Sequence, residues 1–106
     1  MAWIYLIGED EATTRFKIGL TTAKDINTRM KKLQTGNSNE LYLKKSFKTN
    51  TPFKLELMLH NHYQNKKIIN EWYELNEVDI NDFENVCEKY QKIIDSLSDN
   101  PFFKSC

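Results

Sequence analysis

The sequence predicts an α+β fold: a small three-stranded antiparallel sheet flanked by helices, with a further helix at the C-terminal end. Residues 2–8 and 15–21 are short runs of β-branched and aromatic residues joined by a polar turn, a pattern typical of an antiparallel hairpin. Residues 40–48 alternate between apolar and polar positions, as a third strand does. Apolar residues recur at helical spacing between and after these runs.

Each predicted helix has a start signal or an apolar stripe. Asp25 is a favourable N-cap, and Gly36 ends the helix that Asp25 begins. Pro52 opens a second helix, because a proline in the first turn loses no hydrogen bond. A third helix, from about residue 81 to residue 97, carries an apolar stripe of the kind that faces a core. The aromatic residues 71–75 between them are typical of an extended segment or a turn.

Composition is that of a soluble globular protein with a single domain. The 106 residues are 40% hydrophobic and 28% charged, which argues against disorder. No run approaches the roughly 18–20 apolar residues of a membrane span, and the N-terminus fits a strand better than a signal peptide. Cys87 and Cys106 lie far apart, which favours a reduced, intracellular setting in the cytoplasm or nucleus of a host cell.

Within that domain we expect a core over residues 1–76 and a helical extension, residues 77–106, packed on it. The last residues are expected to be loose or docked through Phe102 and Phe103. The net charge of zero hides an asymmetry, with 12 Lys/Arg against 6 Asp/Glu in residues 1–70 and 3 against 9 thereafter. A basic half can present a basic face to nucleic acid, although both halves can equally be ordinary solvated surface.

Five short motifs occur in a fixed order along the chain. They are WIY at residues 3–5, KIGLT at 17–21, RMKKLQTG at 29–36, LELMLH at 55–60 and EWY at 71–73. In this order the chain resembles the GIY-YIG nuclease superfamily, and within it the branch found in phage and viral open reading frames. The first two motifs stand where the superfamily has GIY and YIG, and the others look like R-x-x-x-L-Q-T-G, LE-x-x-LH and EWF of that branch. The resemblance spans about residues 3–75 and leaves the third helix uncovered.

Two positions depart from the superfamily pattern. Trp3 stands in place of the first glycine, which we expect to affect packing alone. Lys17 stands in place of the second tyrosine and so removes an acid–base group, although lysine is common there in this branch. Gly19 is expected to permit close approach to the site, or merely a bend in the strand.

The resemblance implies a metal-dependent endonuclease that hydrolyses phosphodiester bonds in DNA with a water nucleophile. Tyr5 and Lys17 would serve as the base, since a tyrosine with its reference pKa of about 10 needs a cation nearby to do so. Arg29 would grip the scissile phosphate, and Glu56 would bind Mg²⁺ or Mn²⁺ together with water and the substrate phosphate. Taken alone, without the motifs, these residues favour a packed strand tyrosine and solvated helix side chains.

His60 follows Glu56 by four residues and therefore lies on the same helical face. It would orient the carboxylate or a metal-bound water, or it is a packed or surface histidine. Residues 60–62 also spell HNH, but the nuclease motif of that name uses dispersed positions, and we expect His60 and His62 to project to different sides. Glu71 and Trp72 are expected to close the edge of the sheet.

Basic residues along the chain are candidates for contacts with backbone phosphates, which would make binding salt-sensitive and largely independent of sequence. They are Lys24, Lys31, Lys32, Lys44, Lys45 and Lys48. We expect DNA as the partner, with RNA not excluded and no membrane. Because many relatives carry an added DNA-binding domain that this chain lacks, weak binding, a homodimer or a protein partner is expected.

Two other functions fit the same sequence. A catalytically silent copy of the fold would be a binding module that regulates or inhibits a nucleic-acid or immune enzyme. The neutral net charge favours such a module, and the complete set of Tyr5, Lys17, Arg29 and Glu56 argues against it. A toxin-like nuclease acting on RNA would use the same residues.

Overall fold

The computed structural model describes residues 2–9, 13–36 and 40–98. Five strands and three α-helices follow one another in these ranges: β1 (Ala2–Gly8), β2 (Arg15–Thr21), α1 (Ile26–Thr35), β3 (Tyr42–Thr49), α2 (Pro52–His62), β4 (Lys67–Ile69), β5 (Trp72–Glu74) and α3 (Glu77–Ser98). The predicted α+β class is confirmed, as is the antiparallel hairpin of β1 and β2. Most of the turn that joins these two strands, residues 10–12, lies outside the described ranges.

The sheet is wider than the three strands expected, because β4 and β5 add a second hairpin to it. Its five strands run in the order β3-β1-β2-β5-β4, and all neighbours are antiparallel. β4 and β5 have only three residues each, too few to show an alternating pattern in the sequence. Asn70, with φ at 51°, supplies the left-handed residue of the two-residue turn between them.

The two faces of the sheet have different roles. Ile4, Leu6 and Ile18 are fully buried and belong to a single core cluster. That cluster also takes in side chains of α2 and α3, so both helices cover this core face of the sheet. Successive residues of a strand point to opposite faces, and Tyr5 and Lys17 therefore lie on the other face.

Side-chain caps begin two of the helices. Asp25 starts α1 as predicted, its carboxylate accepting a hydrogen bond from the backbone N–H of Asn27 at 3.0 Å. α3 begins about four residues earlier than predicted, because Asn76 and Asp79 cap each other. The Asp79 N–H donates to Asn76 Oδ1 at 2.9 Å, and the Asn76 N–H donates to Asp79 Oδ2 at 3.1 Å.

Cys87 is a fully buried core residue, and burial raises the pKa of its thiol to about 12, so it is an unreactive cysteine. Cys106 and the predicted docking residues Phe102 and Phe103 lie outside the described residues. Among the helices that the structure describes, none is long and apolar enough to cross a membrane.

Candidate active site

The candidate site lies where β2 loses its second neighbour in the sheet. β5 pairs with β2 only along Arg15–Lys17, and the final hydrogen bond between them is the Ile18 N–H donating to the backbone oxygen of Glu71 at 3.0 Å. From Ile18 to Thr21, β2 is paired with β1 on one side. In the part of the chain that the structure describes, no strand pairs with its other side. We call Ile18–Thr21 the open edge of β2.

His60 covers the first carbonyl of this open edge. Its Nε2 lies 3.1 Å from the backbone oxygen of Ile18, and a carbonyl can only accept, so Nε2 carries the proton and donates it. The imidazole also stacks on the ring of Tyr73, with 5.6 Å between ring centroids. His62, two residues on, bonds instead to the Tyr90 hydroxyl of α3 at 2.8 Å. The prediction that the two histidines project to different sides is confirmed.

Glu56 is held beside His60 by the packing of α2. Leu55 and Leu59 are fully buried and anchor one face of the helix on the core. Glu56 follows Leu55 and His60 follows Leu59, so both lie at the boundary of that face and are half-buried. Since residues four apart are neighbours on a helix, the carboxylate and the imidazole both face the open edge of β2.

The pKa of Glu56 is shifted by its burial and by the charged groups around it. Partial burial raises the pKa of the Glu56 carboxyl, and the negative charge of Glu71 raises it further. His60 and Lys17 act in the opposite direction and lower the pKa. Glu56 on α2, Lys17 on β2 and Glu71 in the β4–β5 turn are therefore close enough to interact by charge.

Lys17 makes a direct contact in this group. Its Nζ lies 3.5 Å from a carboxylate oxygen of Glu71, and the two side chains are 25% and 44% exposed. An ion pair this exposed contributes little to the free energy of unfolding. Substrate in solution can reach both of them.

Tyr5 lies next to Lys17 on the same face of the sheet but is almost completely buried. It pairs with Gly19 across the β1–β2 ladder, and Lys17 is two residues from Gly19. A Cβ atom added to Gly19 would lie 2.5 Å from the Tyr5 hydroxyl oxygen, so the phenol ring lies directly across the glycine. Tyr5 is 1% exposed, and Lys17 is consequently the solvent-accessible member of the predicted pair.

Arg29 projects from the half-buried side of α1. Its Nε is buried and has no hydrogen-bond partner in the described residues. A buried donor that stays unpaired costs about 1–3 kcal/mol, which makes this guanidinium a group in need of an acceptor. Among these residues Arg29 also forms no ion pair, so the structure does not join it to Glu56 or Lys17 by a direct contact.

The six predicted DNA-contacting lysines do not share one surface. Lys48 pairs with Trp3 across the β1–β3 ladder, on the face of Tyr5, and its Nζ lies 5.7 Å from the centroid of the Trp3 ring. The Trp3 indole N–H donates to the backbone oxygen of Lys24 at 3.4 Å, which brings a second lysine to this place. Lys45 pairs with Leu6 and therefore lies on the core face.

The other three predicted lysines, Lys31, Lys32 and Lys44, are exposed. The first two are on α1, on its solvent side rather than on the half-buried side of Arg29. Lys44 lines a cavity of about 610 Å³ at the opposite end of the sheet, beside Gly8 and the start of α3. None of the predicted catalytic residues lines that cavity.

A divalent metal ion would find few protein ligands here. Among the described residues no group of three His, Cys, Asp or Glu side chains is arranged to hold a metal. Glu56 offers one half-buried carboxylate, and Glu71 offers a second negative charge in its neighbourhood. This donor set fits Mg²⁺, which keeps several of its waters and uses one or two carboxylates with substrate phosphate.

Sequence reasoning assigned Glu71 to sheet closure and missed its charge contacts. The available signal was an acidic residue directly before the aromatic pair Trp72-Tyr73.

Among known protein families, the model of the T5orf172 domain matches this chain over residues 2–91. The match extends past the five motifs and includes much of α3. It is this model that matches, and not one of the GIY-YIG superfamily as a whole. Neither a curated protein nor a solved structure matches the sequence.

Proposed function

This chain belongs to the T5orf172 domain family, a phage-associated family of the nuclease type, and we propose that it is a metal-dependent endonuclease that hydrolyses phosphodiester bonds in DNA. The observation that carries the proposal is the convergence of Lys17, Glu56 and His60 on the open edge of β2. A cation, a carboxylate and an imidazole from two elements meet there on an accessible surface, as phosphodiester hydrolysis requires. The proposed place of action is inside a host cell, where DNA is found.

Glu56 would hold the metal ion, Mg²⁺ or Mn²⁺. When bound, such an ion polarises the phosphate and lowers the pKa of a coordinated water. The His60 imidazole, fixed by its hydrogen bond to Ile18, is one helical turn from Glu56 and is assigned to orient the Glu56 carboxylate or a metal-bound water. A half-buried carboxylate binds a cation more strongly than an exposed one, because less water competes for it.

Lys17 and Tyr5 are assigned to the attacking water. Lys17 reaches the solvent and can meet both the water and a phosphate oxygen, whereas Tyr5 lies behind it against Gly19. Arg29 is assigned to the scissile phosphate. Its buried, unpaired Nε supports that role, because a phosphate oxygen is an acceptor that a guanidinium binds in a planar, charge-assisted contact.

Nicking of supercoiled plasmid DNA tests this function. The purified chain is incubated with Mg²⁺ or Mn²⁺, and with EDTA, beside Glu56→Gln and the matched control Glu88→Gln, which changes an exposed glutamate of α3. We expect nicking by the unchanged protein and by Glu88→Gln, and loss of nicking with EDTA or Glu56→Gln. Equal nicking by Glu56→Gln would show that the activity comes from elsewhere. A labelled RNA in place of the plasmid tests the RNA-cutting alternative.

A protein-binding module is the second candidate, and one observation favours it. Phe53 and Leu57 are 70% and 62% exposed, one turn apart on α2, directly beside Glu56. Exposed apolar pairs of this kind are typical of protein contacts, including contacts with a second copy of the same chain. A module of this class would not nick DNA, and the double change Phe53→Ser with Leu57→Ser would abolish its association in sedimentation experiments.

A further inference from the structure

We propose that Glu71 is a positioning residue of this site, which holds the Lys17 side chain next to the open edge of β2. This inference rests on the proposed nuclease function and extends it by one residue. Glu71 lies in the turn between β4 and β5, so the second hairpin of the sheet has a role in the site in addition to widening the sheet.

The backbone holds Glu71 in place from both sides. Before it, Asn70 adopts the left-handed conformation that the two-residue turn needs. After it, Trp72 pairs with Lys17 in the β2–β5 ladder. The Glu71 carbonyl itself accepts the Ile18 N–H at 3.0 Å, and Ile18 directly follows Lys17. The side chains of Glu71 and Lys17 thus start from neighbouring, hydrogen-bonded backbone.

The side chains of Glu71 and Lys17 form an ion pair. The carboxylate of Glu71 lies 3.5 Å from Lys17 Nζ, and without this partner a lysine side chain has several rotatable bonds and no fixed direction. Because the pair is exposed, it can exchange for a substrate phosphate at low cost. Glu71 therefore orders Lys17 before substrate arrives and does not need to touch the reacting atoms.

The first experiment is an NMR relaxation measurement on the Lys17 side chain, made without metal or substrate. It compares the order parameter of the Lys17 Cε methylene in the unchanged protein with that in Glu71→Gln, which removes the ion pair, and in the matched control Glu74→Gln, which changes an exposed glutamate on β5 that bonds to Thr14. We expect the order parameter to fall in Glu71→Gln and to stay unchanged in Glu74→Gln. An unchanged or higher order parameter in Glu71→Gln overturns the proposal, whether or not the protein cuts DNA.

The second experiment is a double-mutant cycle on DNA nicking. Glu71→Gln should lower kcat about tenfold with a smaller effect on KM, since misplacing a reacting group costs rate rather than binding. In a Lys17→Met background the same change should have almost no further effect. Equal losses in both backgrounds would overturn the role through Lys17. If the unchanged protein fails to nick DNA, the proposed function is wrong and the order parameter of the Lys17 side chain alone decides on Glu71.

Discussion

The phenol ring of Tyr5 lies across Gly19 of the neighbouring strand, so closely that a methyl group on Gly19 would be 2.5 Å from the Tyr5 hydroxyl oxygen. Any side chain at position 19 would force this ring to move from its place. This packing holds Tyr5 in place beside Lys17 and couples the β1–β2 ladder to the candidate site. Gly19 therefore contributes by its lack of a side chain.

Gly19→Ala is expected to displace Tyr5 and to lower both stability and DNA nicking. Overpacking of this kind costs about 1–3 kcal/mol, measurable by urea denaturation. Gly36→Ala is the matched control, because a Cβ there would meet only the Leu33 oxygen at 3.9 Å. A Gly19→Ala protein as stable and active as the control would contradict the close packing of Tyr5 on Gly19.

His60→Ala is expected to lower nicking strongly, whereas His62→Ala is expected to leave it nearly unchanged. Each substitution removes one side-chain hydrogen bond, to Ile18 and to Tyr90 respectively, and should cost about 0.5–1.5 kcal/mol of unfolding free energy. Urea denaturation and plasmid nicking, measured on both variants, separate the two effects. Equal activity losses would mean that His60 acts only through stability.

Glu56→Gln is expected to stabilise the protein at pH 7 while abolishing nicking. Burial and Glu71 raise the pKa of Glu56 above its ordinary 4.5 in the folded state. The stability linked to this group is therefore full below the ordinary pKa and is lost as the pH rises through the folded pKa. A glutamine avoids that loss, so thermal unfolding should show an advantage at pH 7 that disappears toward pH 4. A Glu56→Gln protein less stable than the unchanged one at pH 7 would contradict this assignment.

Lys48→Gln is expected to weaken DNA binding and to reduce its salt dependence. Removing one lysine–phosphate interaction should decrease the slope of log K against log salt by about 0.9. Lys45→Gln serves as the control, since Lys45 lies on the core face of the same strand. Fluorescence anisotropy with a labelled duplex at several salt concentrations measures both. Identical slopes for the two variants would show that DNA binds to a surface other than the one that carries Lys48.

Local signals in the sequence predicted much of the fold. The strand runs of β1 and β2 and the Asp25 cap of α1 depend on near neighbours in the chain, and the structure agrees with each. The start of α3 was predicted about four residues too late, although Asn76 and Asp79 stand at capping-box spacing. Residues 71–75, which contain β5, were predicted as extended or as a turn, and β4 was not predicted, because the pairing of this hairpin depends on β2 rather than on its own pattern.

The candidate site, like the fold, could be predicted from the sequence only in part. Helical spacing alone predicts that Glu56 and His60 share a face, whereas the resemblance to the GIY-YIG superfamily selects Tyr5, Lys17 and Arg29. The burial of Tyr5 could not be predicted, because it depends on which residue of β2 lies opposite. The ion pair between Lys17 and Glu71 joins residues far apart in the chain, which only the pairing of β2 with β5 brings together.

The sequence by itself determined the class of fold and the chain order of its first elements, and its motifs named candidate residues for the proposed nuclease. These depend on periodicity, caps and motifs, all of which act over a few residues. The tertiary structure decided that the sheet has five strands, that β2 has an open edge and that Glu71 faces Lys17 there. Strand register and the packing of α2 on the core set those relationships, and both are long-range effects of burying apolar surface.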